Sequence, residues 1–221
     1  MNDRVLIVMD DPFELSMMSA ALKLHGIHVV GEARKQTTAI SLMRSMQPNT
    51  LLIDMHLTDE HSLSIANEMR KQNPKIGIVI LVACADFRLI GEHPTDIPAG
   101  SKIVLKKSMN DMALLCDVIS DSRVCADESS AIWVNGNISI HEKALQDKIS
   151  RLTDIQIETL RLVADGLTNA EISKVRFVSE KAVEQIVSRI AQVLNVYPDQ
   201  GKNMRVQLVG EYFKWIGAPT H

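Results

Sequence analysis

Aromatic residues are scarce in this sequence: two Trp, two Tyr and four Phe among 221 residues, 4% of the chain. A surface on which successive bases stack needs exposed rings, so the scarcity disfavours a single-strand nucleic-acid platform. Cysteine is scarcer. Cys84, Cys116 and Cys125 leave an odd thiol over and have no CxxC spacing, which argues against a disulfide scaffold or a structural zinc site and suits a reducing compartment. Long apolar runs are missing. The longest, Ile76 to Ala85, has about half the roughly 20 residues of a membrane helix. The first, Val5 to Met9, is stopped by Asp10 and Asp11; it is too short for a secretion-signal core and lacks a small-residue cleavage site. A cytoplasmic protein with no membrane partner is expected. No glycine-rich phosphate loop is present. Basic charge is not in excess: 24 Lys and Arg face 27 Asp and Glu, a formal net charge of −3. Bulk charge therefore gives no argument for nucleic-acid binding, although a local patch suffices for it.

What is present is ordinary globular usage, 46% hydrophobic and 23% charged, in a chain long enough for one or two domains and a sizeable core. Short apolar runs at Val5–Met9, His28–Gly31, Leu51–Ile53, Ile78–Val82 and Ile103–Leu105 alternate with stretches of helical spacing. Strands that are apolar throughout and separated by helices predict a parallel sheet covered on both faces. The weak stretch is Phe87 to Ser101, where Pro94 and Pro98 predict a short or distorted helix. Residues 123–150 change character, with turn formers around Trp133 and Val134 and a helix expected over Glu142–Lys148. After them come helices only. Thr153 and Ser179 are capping residues, and Val183, Ile186, Val187, Ile190 and Leu194 form one apolar stripe. A short helix, a tight turn and a longer helix make a helix-turn-helix pattern. The expected organisation is an α/β domain over 1–122 with a doubly wound, flavodoxin-like sheet of five parallel strands, a linker over 123–150, and an all-α helix-turn-helix domain over 151–221.

Ligands of such sheets gather at the carboxyl ends of the strands. Asp10 and Asp11 follow the first strand, Asp54 the third and Lys106 the fifth. Carboxylates clustered there suit Mg2+, a cation held by one or two carboxylates plus waters, and a lysine beside them suits an incoming phosphoryl charge. Any one such Asp is more often a turn former or helix cap; the set together favours a site. His56, Asp59, Glu60 and His61 crowd the loop after Asp54, but match no zinc spacing and read as solvated loop.

These residues resemble a two-domain response regulator of the NarL/LuxR type. The resemblance runs through Val5-Leu6-Ile7-Val8-Met9-Asp10-Asp11-Pro12, Leu51-Leu52-Ile53-Asp54, Val104-Leu105-Lys106, Ala164-Asp165-Gly166-Leu167-Thr168-Asn169 and Ser179-Glu180-Lys181. It implies phosphoryl transfer from a sensor histidine kinase to Asp54, Lys106 pairing with the phosphoryl group, Mg2+ at Asp10, Asp11 and Asp54, and double-stranded DNA as the partner of a homodimer. There are departures. Anchored on Pro12, the family's acidic pair falls on Met9 and Asp10, the preferred register; slipped by one, it falls on Asp10 and Asp11. The family's switch hydroxyl is Val82, its switch aromatic Ile103, and the proline after the acceptor loop Thr58. With the apolar stripe fixed, Lys181, Glu184, Gln185, Ser188 and Arg189 face outward as the candidate DNA contacts, flanked by Lys174 and Arg176. Glu184 stands where relatives commonly carry lysine; a glutamate is repelled by phosphate yet accepts from cytosine N4. The function expected is a DNA-binding transcription regulator, not an enzyme, with an atypical receiver regulated by dimerisation and with Asp54 as the phosphoacceptor that the resemblance implies. The alternative is a phosphorylation-independent interaction module that titrates another regulator.

Overall fold

The computed structural model describes residues 3–55, 57, 62–84, 86–106, 111–123, 130–134, 147–197 and 201–216. Thr58, the His56–His61 loop cluster, Cys125 and most of the helix expected over Glu142–Lys148 lie outside them. The chain forms two compact units, residues 1–83 with 95–137, and residues 84–94 with 138–221.

The first unit is a six-stranded parallel sheet. Its elements are β1 (Arg4–Val8), α1 (Pro12–Leu24), β2 (His28–Ala33), α2 (Gln36–Met46), β3 (Thr50–Asp54), α3 (Ser62–Gln72), β4 (Gly77–Val82), β5 (Lys102–Leu105), α4 (Met112–Asp121) and β6 (Ile132–Val134). The strand order is β2-β1-β3-β4-β5-β6. Every residue of β3 and β4 is buried, which is why these strands read as unbroken apolar runs with no alternation. Five strands were expected; the sixth comes from the stretch read as linker. Ile132 and Trp133 lie in register with Lys102 and Ile103 of β5, and the Ile132 N–H donates to the Ser101 carbonyl at 2.8 Å.

The second unit is built on α5 (Asp154–Ala164), α6 (Asn169–Val175), α7 (Glu180–Leu194) and α8 (Met204–Trp215). Each start is fixed by a side chain accepting a backbone N–H: Thr153 from Gln156 in a reciprocal capping box, Thr168 from Glu171, Ser179 from Ala182, and Asn203 from Arg205 and Val206. The α7 helix stops where Asn195 turns left-handed, φ 58°. The buried core joins Ile157, Leu160, Val163, Val183, Val187, Ile190, Leu208 and Trp215. Leu89 is part of the same core and fully buried. It comes from the stretch after β4, which forms two 3-10 turns, Phe87–Ile90 and Pro94–Asp96. The Tyr212 hydroxyl donates to the Leu89 carbonyl at 2.8 Å. Arg88 donates to Asp86 at 2.6 Å, to Asp154 at 2.8 Å and to the Leu152 carbonyl at 3.2 Å.

Candidate functional site

In the first unit, β3 ends on Asp54 and β5 ends one residue before Lys106. Asp54 is 4% exposed, an expensive place for a carboxylate unless it is paired. Lys106 meets that need, its Nζ donating to Asp54 Oδ2 at 2.6 Å. The same Nζ donates to Glu14 Oε2 at 2.9 Å. Burial works against the ammonium charge, but Asp54 and Glu14 outweigh it, so the Lys106 pKa lies above the ordinary lysine value. The Ser62 hydroxyl donates to the carbonyls of Asp54 and Met55 at 2.8 and 2.9 Å, tying α3 to the chain that leaves β3.

At the end of β1 the three residues of the two registers lie in different surroundings. Met9 is 1% exposed and belongs to the apolar core. Asp10 is half-buried, and its carbonyl accepts from Arg34 Nε at 2.8 Å. Asp11, expected as a further metal carboxylate, is exposed and caps α1, its Oδ1 accepting the Glu14 N–H at 2.7 Å. Pro12 follows at the first helical position, where a missing N–H costs nothing. Val82 and Ile103 are each 1% exposed and offer no hydrogen bond. Among the described residues, no three His, Cys, Asp or Glu groups cluster closely enough to hold a metal ion. The oxygen donors Asp10 and Asp54 still fit Mg2+ chemically, since that ion is commonly held by one or two carboxylates with waters completing the shell.

In the second unit, Lys181, Glu184, Gln185, Ser188 and Arg189 are all exposed on α7, while Val183, Val187, Ile190 and Leu194 are buried. Ile186, read as part of the stripe, is half-buried. Lys174 is exposed beside them, but Arg176 is not the flanking cation expected. It donates to the Ile155 carbonyl at 2.9 Å and to the Thr159 hydroxyl, and pairs with Glu158 at 3.4 Å. The turn between α6 and α7 exposes Phe177, 94% accessible, with φ 54°. Sequence reasoning singled out neither Phe177 nor Glu14. Glu14 reads locally as an ordinary acid in a first helical turn, and nothing local links it to a lysine 92 positions later.

The response regulator receiver domain family matches residues 5–118. The luxR family of bacterial regulatory proteins matches residues 150–201. The DNA-binding transcriptional activator EvgA of Escherichia coli K12 is 22% identical over 189 residues, spanning 86% of this chain and 90% of EvgA. The nitrate/nitrite response regulator protein NarP of the same strain is 27% identical over 201 residues, spanning 87% and 89%. A solved structure of two RcsB dimers bound to two parallel DNAs aligns over 96% of this chain and 99% of that one, at 20% identity and a TM-score of 0.53. That likeness is one of fold.

Proposed function

The chain belongs to the response regulators, with a receiver domain followed by a LuxR-type domain, and on that premise we propose that it regulates transcription as a homodimer on duplex DNA, with Asp54 as phosphoacceptor. The observation that carries the reading is α7. Its cap, its preceding short helix and its exposed row of Lys181, Gln185, Ser188 and Arg189 suit insertion of one polar helix face into a major groove. EvgA is a DNA-binding activator and RcsB has been solved on DNA, which supports the same reading. Glu184 sits within this face and gives it base selectivity at the expense of phosphate attraction.

At the receiver site, an Asp54 carboxylate oxygen attacks phosphorus on the phosphohistidine of a sensor kinase. The phosphorus–nitrogen bond breaks, the imidazole departs, and an acyl phosphate remains on Asp54. Lys106, already within 2.6 Å, stays beside the new dianion as its counter-charge. Asp10 and Asp54 would hold Mg2+, which would supply neutralisation of the phosphoryl oxygens; Asp11 uses Oδ1 as the α1 cap. Among the described residues no helix is long and apolar enough to cross a membrane.

The test is selection of duplexes from a random pool, followed by a salt titration of the bound sequence. The three exposed cations that α6 and α7 carry, Lys174, Lys181 and Arg189, predict that log K falls with log salt at a slope of about −5 for a dimer. Arg189→Ala should weaken the selected site by about 1–3 kcal/mol if it reads guanine. Failure to retain any duplex would overturn the reading and leave the interaction module in its place.

A further inference from the structure

The charge around Asp54 is distributed unusually. Where the family pattern, in the register anchored on Pro12, puts a carboxylate at the end of β1, this chain buries Met9 in the core. Glu14, in the first turn of α1, brings a carboxylate to the lysine itself, 2.9 Å from Lys106 Nζ. Asp10, Asp54 and Glu14 contribute three negative charges and Lys106 one positive charge, the same total as a carboxylate at position 9 would give without Glu14. The total is kept and its position is moved, from the strand end onto the lysine. Lys106 is thereby shared between two carboxylates, one buried and one half in solvent.

We propose that Glu14 is a positioning residue for Lys106 that slows modification of Asp54 by holding the ammonium away from the incoming phosphoryl group. This rests on the reading of Asp54 as phosphoacceptor. When Asp54 becomes an acyl phosphate, the lysine must turn part of its charge and one of its three donors toward the phosphoryl oxygens. Glu14 competes for those donors, and its own charge disfavours the approaching anion. Because Glu14 is about half exposed, solvent limits the effect to that of a surface pair. Replacing it with the isosteric amide should accelerate modification about two- to fivefold.

The experiment uses the full chain, Mg2+ and phosphoramidate, with intact mass followed over time. Wild type, Glu14→Gln, Lys106→Met and the double variant form a cycle. The expected result is acceleration by Glu14→Gln alone, with none in the Lys106→Met background, together with a shift of the Lys106 side-chain nitrogen resonance in unmodified Glu14→Gln protein. Equal acceleration in both backgrounds would show an effect that bypasses the lysine and would overturn the proposal. So would an unchanged rate or an unmoved resonance. No adduct in any variant would overturn the phosphoacceptor reading and the rate-setting role together, whereas an adduct lost in Asp54→Asn but indifferent to Glu14 would overturn the latter alone.

Discussion

Leu89→Ala tests whether the stretch after β4 is part of the second unit's core. Leu89 is fully buried and clusters with Leu160, Val163, Tyr212 and Trp215. Truncation removes three carbons, about 2.4 kcal/mol at roughly 0.8 kcal/mol per methylene. The void left behind adds to this, and buried Leu→Ala changes span about 2.7–5 kcal/mol. A loss of about 3 kcal/mol is expected. With a urea dependence of about 2 kcal/mol per molar, the midpoint should fall by about 1.5 M. The chain has two tryptophans, Trp133 and Trp215. In a Trp133→Phe background, fluorescence therefore reports on Trp215, which is 4% exposed in this core. A midpoint shift below about 0.5 M, with Trp215 indifferent to the substitution, would refute the placement of Leu89.

Glu184→Lys should strengthen nonspecific duplex binding and steepen the salt slope by about 0.9 per copy, since each added cation releases one more counterion; anisotropy at two salt concentrations measures this. Thr153→Ala removes the capping box of α5 and should cost about 1 kcal/mol in the same urea experiment. Glu32 accepts from the Ser19 hydroxyl and from Lys23 Nζ. The Ser19 bond, opposed by burial and helped by Lys23, holds its pKa below the usual glutamate value. Because the folded-state value is depressed, Glu32 stabilises the fold above the ordinary glutamate range, and that contribution is lost as pH falls through the folded pKa. Carboxyl NMR should show Ser19→Ala moving the Glu32 titration upward.

The sheet was legible because its four inner strands, β1, β3, β4 and β5, are buried along nearly their whole length. Nothing but a parallel sheet or a buried helix makes runs such as Ile78–Val82, and their length decides for strands. The strand-end position of Asp54 and Lys106 followed from the same pattern. β6 was not legible as a strand. Three residues among turn formers carry no period, and what fixes them is pairing with β5, a contact between distant stretches. The prolines at 94 and 98 marked the stretch after β4 as a poor helix, but no local signal assigns Leu89 to a core some 70 residues later. Arg176 was misplaced for a similar reason. Its spacing puts it beside α7, while its partners, Ile155, Glu158 and Thr159, lie on α5. Glu14 shows the limit for charged side chains: a helix periodicity tells which face is wet, and a long carboxylate on that face still chooses its partner in three dimensions.

The sixth strand also decides what the sheet offers to other chains. Without it, the outer row of N–H and C=O groups along Lys102–Leu105 would be an open template for another strand, and Ile103, Val104 and Leu105 are apolar. β6 occupies that row and leaves an outer border of only three residues. Very short edges are a common protection against edge-to-edge aggregation. A fragment cut after α4 would keep the other five strands and lose this border. Its solubility, more than its fold, is the property that would suffer.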